Sequence, residues 1–430
     1  MSAVRPQREE VEHSLASGDV RKALALSDAL LAFDPGNVES LTLRAAALMA
    51  DDKPDAAVDL LLAAASVDAS PRILGSLAMC QVAAGDLTAA IDSFRAVLVE
   101  RPEDFVCRLA FAESLENLGK TDEALPEYFR AVNAAQRQGR WLSDASTGPA
   151  MRERVKRAMD VIDDGRLELF ERALQPHIDA YGPDSMARVG KALQDYLGAH
   201  AEPARDPRQR PKFFWMPGVP AMPFFDAGQF AWYPMLQAAT PAIQEELMEV
   251  LEGPSELEPF LQIDSRYVEE DYLAGDAQSR SWDAYFFYRH GKHFDDACAT
   301  CPNTSNILAQ LPLTQIADHA PEVLFSVLAP QTHIKPHYGV TNTRVVTHLP
   351  LMIPRGDCRL VVGGVEHPWQ EGRCVTFDDT FLHEAWNRTD QRRVVLILDT
   401  WNPYLTAEEC IALKALVECI GDFNRRADVQ

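Results

Sequence analysis

Residues 326–351, SVLAPQTHIKPHYGVTNTRVVTHLPL, set three histidines (His333, His337, His348) among turn residues and β-branched apolar ones. His333 and His337 are four apart, the spacing that would put two zinc ligands on one helix face. Pro336 lies between them, however, and Ile334 stands where a zinc peptidase needs its glutamate, so the stretch reads as extended chain. Around it, the short apolar runs VLFSVLA, RVVTHLPLMI, CRLVVGG, RCVTFDD and RRVVLILDTW are separated by turns holding Gly, Pro, Asn or Asp. From residue 320 onward this pattern predicts an antiparallel sandwich or barrel, and a jelly roll is the economical form. The final stretch, 406–430, predicts a terminal helix with a frayed tail.

The first 135 residues repeat. Gly18, Asp52, Gly85 and Gly119 fall at intervals of 34, 33 and 34, with Ala23, Ala57, Ala90 and Ala124 five residues behind each. That period, with prolines in FDPGN, VDASP and ERPED between units, is the signature of tetratricopeptide repeats over 1–135. In LTAAIDSFRAVLVERP the apolar residues recur at helical spacing, a face that only a neighbouring repeat can bury. Such a solenoid ordinarily grips a protein partner. Residues 136–208 read as an aperiodic helical connector ending in a proline-containing linker around 201–211. Aromatics and prolines then open a new domain at 209–405. The fold class is therefore α+β and multidomain.

A formal charge of -23, from 64 acidic against 41 basic residues, argues against nucleic acid or an anionic membrane surface as partner. No apolar run of about 18 residues is present to span a bilayer, and the N-terminus lacks a signal-peptide core, so a cytoplasmic location is expected. Eight cysteines are too sparse for a disulfide scaffold. Cys298 and Cys301 have CxxC spacing without a second half-site, so unligated thiols are expected there.

Eight of the eleven histidines lie between 290 and 383. His337 has a distant candidate partner in FDDTFLHEAWN, where Asp378, Asp379 and His383 follow a strand. Strand ends in a jelly roll bring such positions together. On the next strand Arg393, Val395, Ile397 and Asp399 share one face. An arginine facing an apolar interior needs an anion, such as one carboxylate of a small diacid; Asp399 or a surface acid is the alternative partner. His319, His333 and His367 read as hydrogen-bonded structural residues.

FSVLAPQTHIKPHYGVTNTR, HLPLMIP, Trp369 with Glu371 and Gly372, FDDTFLHEAWN, and LDTWNP after Arg393 together resemble, in order and spacing, the aspartyl/asparaginyl β-hydroxylase family. Its members are iron(II)- and 2-oxoglutarate-dependent dioxygenases, and its eukaryotic namesake also couples tetratricopeptide repeats to this domain. The resemblance implies a double-stranded β-helix with iron held by two histidines only, His337 and His383, which accounts for Gly339 where related iron sites place a carboxylate. It further implies Asp379 as acceptor for an iron-held water. Ser326 and Arg393 correspond to the residues on the distal carboxylate of 2-oxoglutarate, and His348 to one at its chelating end. Arg344 matches a substrate-binding position, but Val346 replaces a further arginine; Lys292 is a candidate for the missing charge.

The implied activity is hydroxylation of a C–H bond coupled to conversion of 2-oxoglutarate to succinate and CO2. The substrate would be an Asp or Asn residue in a polypeptide, or a related amino acid. Alternatives are a free amino acid of the proline type, an acyl chain, which the lack of a membrane segment disfavours, or halogenation through the vacated carboxylate position. A non-catalytic repeat scaffold is the reading from another class.

Overall fold

The computed structural model describes residues 8–198, 206–253, 257–260, 272–275 and 281–428. The linker expected around 201–211 lies outside these residues as far as 205. The chain forms two compact units: residues 1–168 with 423–430, and residues 169–422. The division falls inside the helix Arg152–Tyr181.

The first unit stacks helices in antiparallel pairs: α1 (Arg8–Ala16) with α2 (Val20–Phe33), α3 (Val38–Ala50) with α4 (Pro54–Val67), α5 (Pro71–Ala84) with α6 (Leu87–Glu100), and α7 (Phe105–Asn117) with α8 (Thr121–Arg137). The period in the sequence has a direct backbone cause. Gly18, Asp52, Gly85 and Gly119 all adopt positive φ, between 56° and 83°, in the tight turn inside each pair. The alanines five residues on are buried at 0 or 1% exposure, because a larger side chain there would push the paired helices apart. Asp19, Asn37, Asp86 and Asp104 each accept a hydrogen bond from the N–H three residues on, which starts the helix that follows. Pro54 and Pro71 occupy first helical positions, where the missing N–H does no harm.

The second unit is built on two antiparallel sheets. Its strands are β1 (Glu258–Pro259), β2 (Leu273–Ala274), β3 (Trp282–Arg289), β4 (Lys292–His293), β5 (Val323–Leu328), β6 (Thr332–His337), β7 (Arg344–Met352), β8 (Cys358–Val362), β9 (Val365–Pro368), β10 (Val375–Phe377), β11 (His383–Asn387) and β12 (Arg393–Trp401). One sheet has the order β1-β3-β5-β12-β7-β10, with β4 on β3; the other has the order β2-β6-β11-β8-β9. Each strand run expected after residue 320 is present. β structure starts earlier than expected, however, with the aromatic β3 paired along β5.

β12 shows why the larger sheet reads as nearly continuous apolar sequence. Val394, Leu396 and Leu398 pack with Ile243 and Leu247 of the helix Thr240–Glu252, while Val395 packs with Leu360 and Val362 of the second sheet. A strand covered on both faces loses the alternation expected of a half-exposed one. The face turned toward the second sheet holds the polar exceptions Arg393 and Asp399, and the candidate site lies between the sheets at those exceptions.

Candidate functional site

β6 and β11 pair so that His337 and His383 stand opposite one another in register, with ring centroids 4.1 Å apart. Each ring is fixed by its own backbone. His337 Nδ1 lies 2.8 Å from the Lys335 carbonyl and His383 Nδ1 lies 3.0 Å from the Phe381 carbonyl. A carbonyl only accepts, so both Nδ1 atoms carry the proton and both Nε2 lone pairs are left for another partner. Burial, then the neighbouring His383, lowers the His337 pKa to about 4, and burial lowers that of His383. Two neutral imidazoles with the same tautomer at this separation could hold a metal ion between their Nε2 atoms. Among the described residues no group of three or more His, Cys, Asp or Glu side chains converges in that way.

Beside the pair, the Gly339 N–H donates to the Asp379 carbonyl at 2.6 Å, and a Cβ on residue 339 would collide with the Asp379 carboxylate. Asp379 Oδ1 is buried without a hydrogen-bond partner, while Oδ2 meets Arg344 at 3.2 Å. Arg344 in turn meets Asp399 Oδ1 at 3.1 Å, and Asp399 Oδ2 accepts from the Glu322 N–H at 3.0 Å. Burial raises the Asp399 pKa to about 6.

At the other end of β12, Arg393 is 1% exposed and has no carboxylate within ion-pair distance among the described residues. The alternative pairing with Asp399 is not formed, since Asp399 is taken by Arg344. The Arg393 guanidinium reaches Ser326 Oγ at 3.4 Å and lies 4.8 Å from the Trp369 ring centroid, and its Nε is unpartnered. Burial lowers its pKa to about 10. His348 stacks on Trp369 with its buried Nδ1 unpartnered, its pKa held well below the ordinary value by burial and then by Arg393. A cation kept this dry, with no acid beside it among the described residues, could take an anionic ligand.

These groups line one cavity of about 150 Å³. Ser326, His337, Arg344, His348, Asp379, His383 and Arg393, separated by up to 67 residues of sequence, are all brought to it. Lys292 is not: it sits exposed on β4 over the Phe294 ring. His333 pairs with Glu384, His319 stacks on Phe213, and His367 lies against Phe224. Cys298 and Cys301 belong to the apolar core on the other face of the larger sheet, with burial pushing the Cys301 thiol up to about 12. Sequence reasoning missed Trp282, whose Nε1 donates to Ser326 Oγ at 2.9 Å, and Glu322. Glu322 was legible in principle, because it shares the alternation of Leu324 and Ser326.

The profile of the family described as aspartyl/asparaginyl beta-hydroxylase matches residues 237–403, which hold every residue of this cavity. The aspartate beta-hydroxylase domain-containing protein 2 of Mus musculus is 32% identical over 247 residues, covering 56% of this chain and 68% of its own. The protein of the same name from Xenopus tropicalis is 31% identical over 267 residues, covering 59% of this chain. The match spans 66% of the Xenopus protein's length, just under two thirds. Among solved structures, MamA MSR-1 C2 is 27% identical, covering 30% of this chain and 74% of that one, with a TM-score of 0.29. The site is a buried histidine pair between two sheets, beside an arginine that has no acid partner among the described residues. The chain belongs to the aspartyl/asparaginyl β-hydroxylase family.

Proposed function

We propose that the chain is an Fe(II)- and 2-oxoglutarate-dependent dioxygenase that hydroxylates a C–H bond of an amino-acid residue, free or within a polypeptide, and that its sheet unit is a double-stranded β-helix. The observation that carries the reading is the dry Arg393–Ser326 pair, which no acid of the described residues compensates, in the same cavity as two imidazoles whose Nδ1 atoms face backbone carbonyls. The donor set fits the group. Two histidines would hold a labile divalent iron, while the orphaned buried atoms of Arg393, His348 and Asp379 suit an anion at one end and a water at the other. When bound, the metal and cosubstrate would supply the oxidising chemistry with O2, one oxygen atom ending in succinate, formed with CO2, and the other in the hydroxyl group of the product.

The protein's part is positioning. Arg393 and Ser326 bind the distal carboxylate of 2-oxoglutarate, and His348 sits at its chelating end. The carbonyls of Lys335 and Phe381 lock the two imidazoles in the ligating tautomer. Asp379 Oδ1 accepts a hydrogen bond from water at the position that a carboxylate on residue 339 would otherwise serve. Leu324, Val346 and Ile397 on the same sheet face keep bulk solvent out. A halide beside Gly339 would meet the Asp379 carboxylate as a like charge, which disfavours halogenation. The helical pairs serve to hold a protein partner. No helix among the described residues is long and apolar enough to cross a membrane.

The test is succinate formation by the purified protein. It should require Fe(II), should disappear in His337→Ala and His383→Ala, and should persist in His319→Ala. Succinate release by the metal-free protein would sink the reading, and equal behaviour of the three variants would overturn the ligand assignment.

A further inference from the structure

The cavity is charged in opposite senses at its two ends. Arg393 and Asp399 lie six residues apart on one face of β12, about 20 Å along the strand. At the Arg393 end a cation stands without an acid among the described residues. At the other end Arg344 is held between Asp379 at 3.2 Å and Asp399 at 3.1 Å, two carboxylates on one guanidinium. Glu322 adds a third carboxylate to the same end, its backbone N–H bound to Asp399 and its side chain met by His290 at 2.9 Å. Val346, opposite Asp399 across the β7–β12 pair, contributes no charge.

Arg344 is linked through Asp379 to the histidine pair, so whatever is presented to the two imidazoles from that side faces this cluster. To take a carboxylate from a substrate, Arg344 would have to release one of two buried acids, leaving that acid uncompensated, and the incoming group would meet Glu322 and Asp399 as like charges. A cationic group meets the reverse situation, since three carboxylates stand here against one guanidinium and Glu322 is engaged by His290 through Oε1 only.

We infer that the group of the substrate seated at the Arg344–Asp399–Glu322 end is an ammonium or guanidinium, and that this end selects against a carboxylate. The inference rests on the proposed function, which assigns the Arg393 end to 2-oxoglutarate and leaves the acidic end for substrate. It narrows the amino-acid class to residues or amines carrying positive charge.

The experiment uses the full chain with Fe(II) and 2-oxoglutarate under anaerobic conditions. Calorimetry would measure binding of four synthetic peptides identical except for a central Asp, Asn, Lys or Arg. The Lys or Arg peptide should bind at least about tenfold more tightly than the Asp peptide. Glu322→Gln should shrink that ratio, and Asp399→Asn, which frees one side of Arg344, should shift it toward the Asp peptide. Because the wild-type ratio is read without any variant, a variant that fails to fold does not remove the test. Equal binding, no binding of any peptide, or preference for Asp overturns the inference. Peptide-free succinate release, measured separately, reports on the dioxygenase reading alone.

Discussion

The carboxylate of Asp379 occupies the space that a side chain at position 339 would fill, and the backbones of Gly339 and Asp379 are joined by a 2.6 Å hydrogen bond. Glycine at 339 is therefore a steric requirement of Asp379. Gly339→Ala should destabilise the protein by about 1–3 kcal/mol, the usual range for overpacking a close-fitted site. In an Asp379→Gly background the same substitution should be nearly neutral. Chemical denaturation of the four proteins in a double-mutant cycle gives the coupling directly, and additive effects would disprove the steric account.

Among the described residues Arg393 has no acid to compensate it, so ligand affinity should depend on the guanidinium itself. Arg393→Ala is expected to weaken 2-oxoglutarate binding by about 2–5 kcal/mol, the range for removing one partner of a buried charged contact. Ser326→Ala should act in the same direction by roughly 1 kcal/mol, and it also deprives Trp282 Nε1 of its acceptor. Calorimetric titration of 2-oxoglutarate would read both; an unchanged affinity in Arg393→Ala would move the anion site elsewhere.

Asp378 carries a pH dependence of defined sign. Burial raises its pKa from 3.8 to about 6, against hydrogen bonds from Thr380 and Gln209 that favour the charged form. The folded state thus holds the proton more tightly than the unfolded one. This stabilisation is complete below pH 3.8 and is lost as the pH rises through 6, a difference of about 3 kcal/mol. Asp378→Asn should flatten the stability profile between pH 4 and 6 as followed by urea unfolding. An unchanged slope would mean that the carboxyl titrates normally.

The same substitution should have opposite signs at two glycines of α5. Gly85 ends the helix at φ 83°, where an L-residue is strained, so Gly85→Ala should lower stability by about 1 kcal/mol. Gly75 lies inside the helix with open space where a Cβ would go, so Gly75→Ala should raise stability by about 0.5–1 kcal/mol. Thermal melts of the two variants should move in opposite directions.

Much of this was legible along the chain because it is local. The repeat of 34, 33 and 34 residues records a left-handed turn residue and a small buried residue in each helical pair, and both are requirements of backbone and packing within a few residues. The five apolar runs read as strands after residue 320, corresponding to β5, β7, β8, β10 and β12, were legible for the same reason. β3 was not, since an aromatic strand packed on both faces shows no alternation, and neither was the role of Glu322 or Trp282.

The sequence by itself determined the helical pairs, the five apolar strands β5, β7, β8, β10 and β12, and the residue types able to hold a metal and an anion. Tertiary structure alone decided how the charges are spent. It gave Asp399 and Asp379 to Arg344, left Arg393 without an acid among the described residues, and kept Lys292 away from the cavity. Charge pairing depends on which strands become neighbours and in what register, and that is set by the burial of two whole sheets rather than by the residues adjacent to each charge.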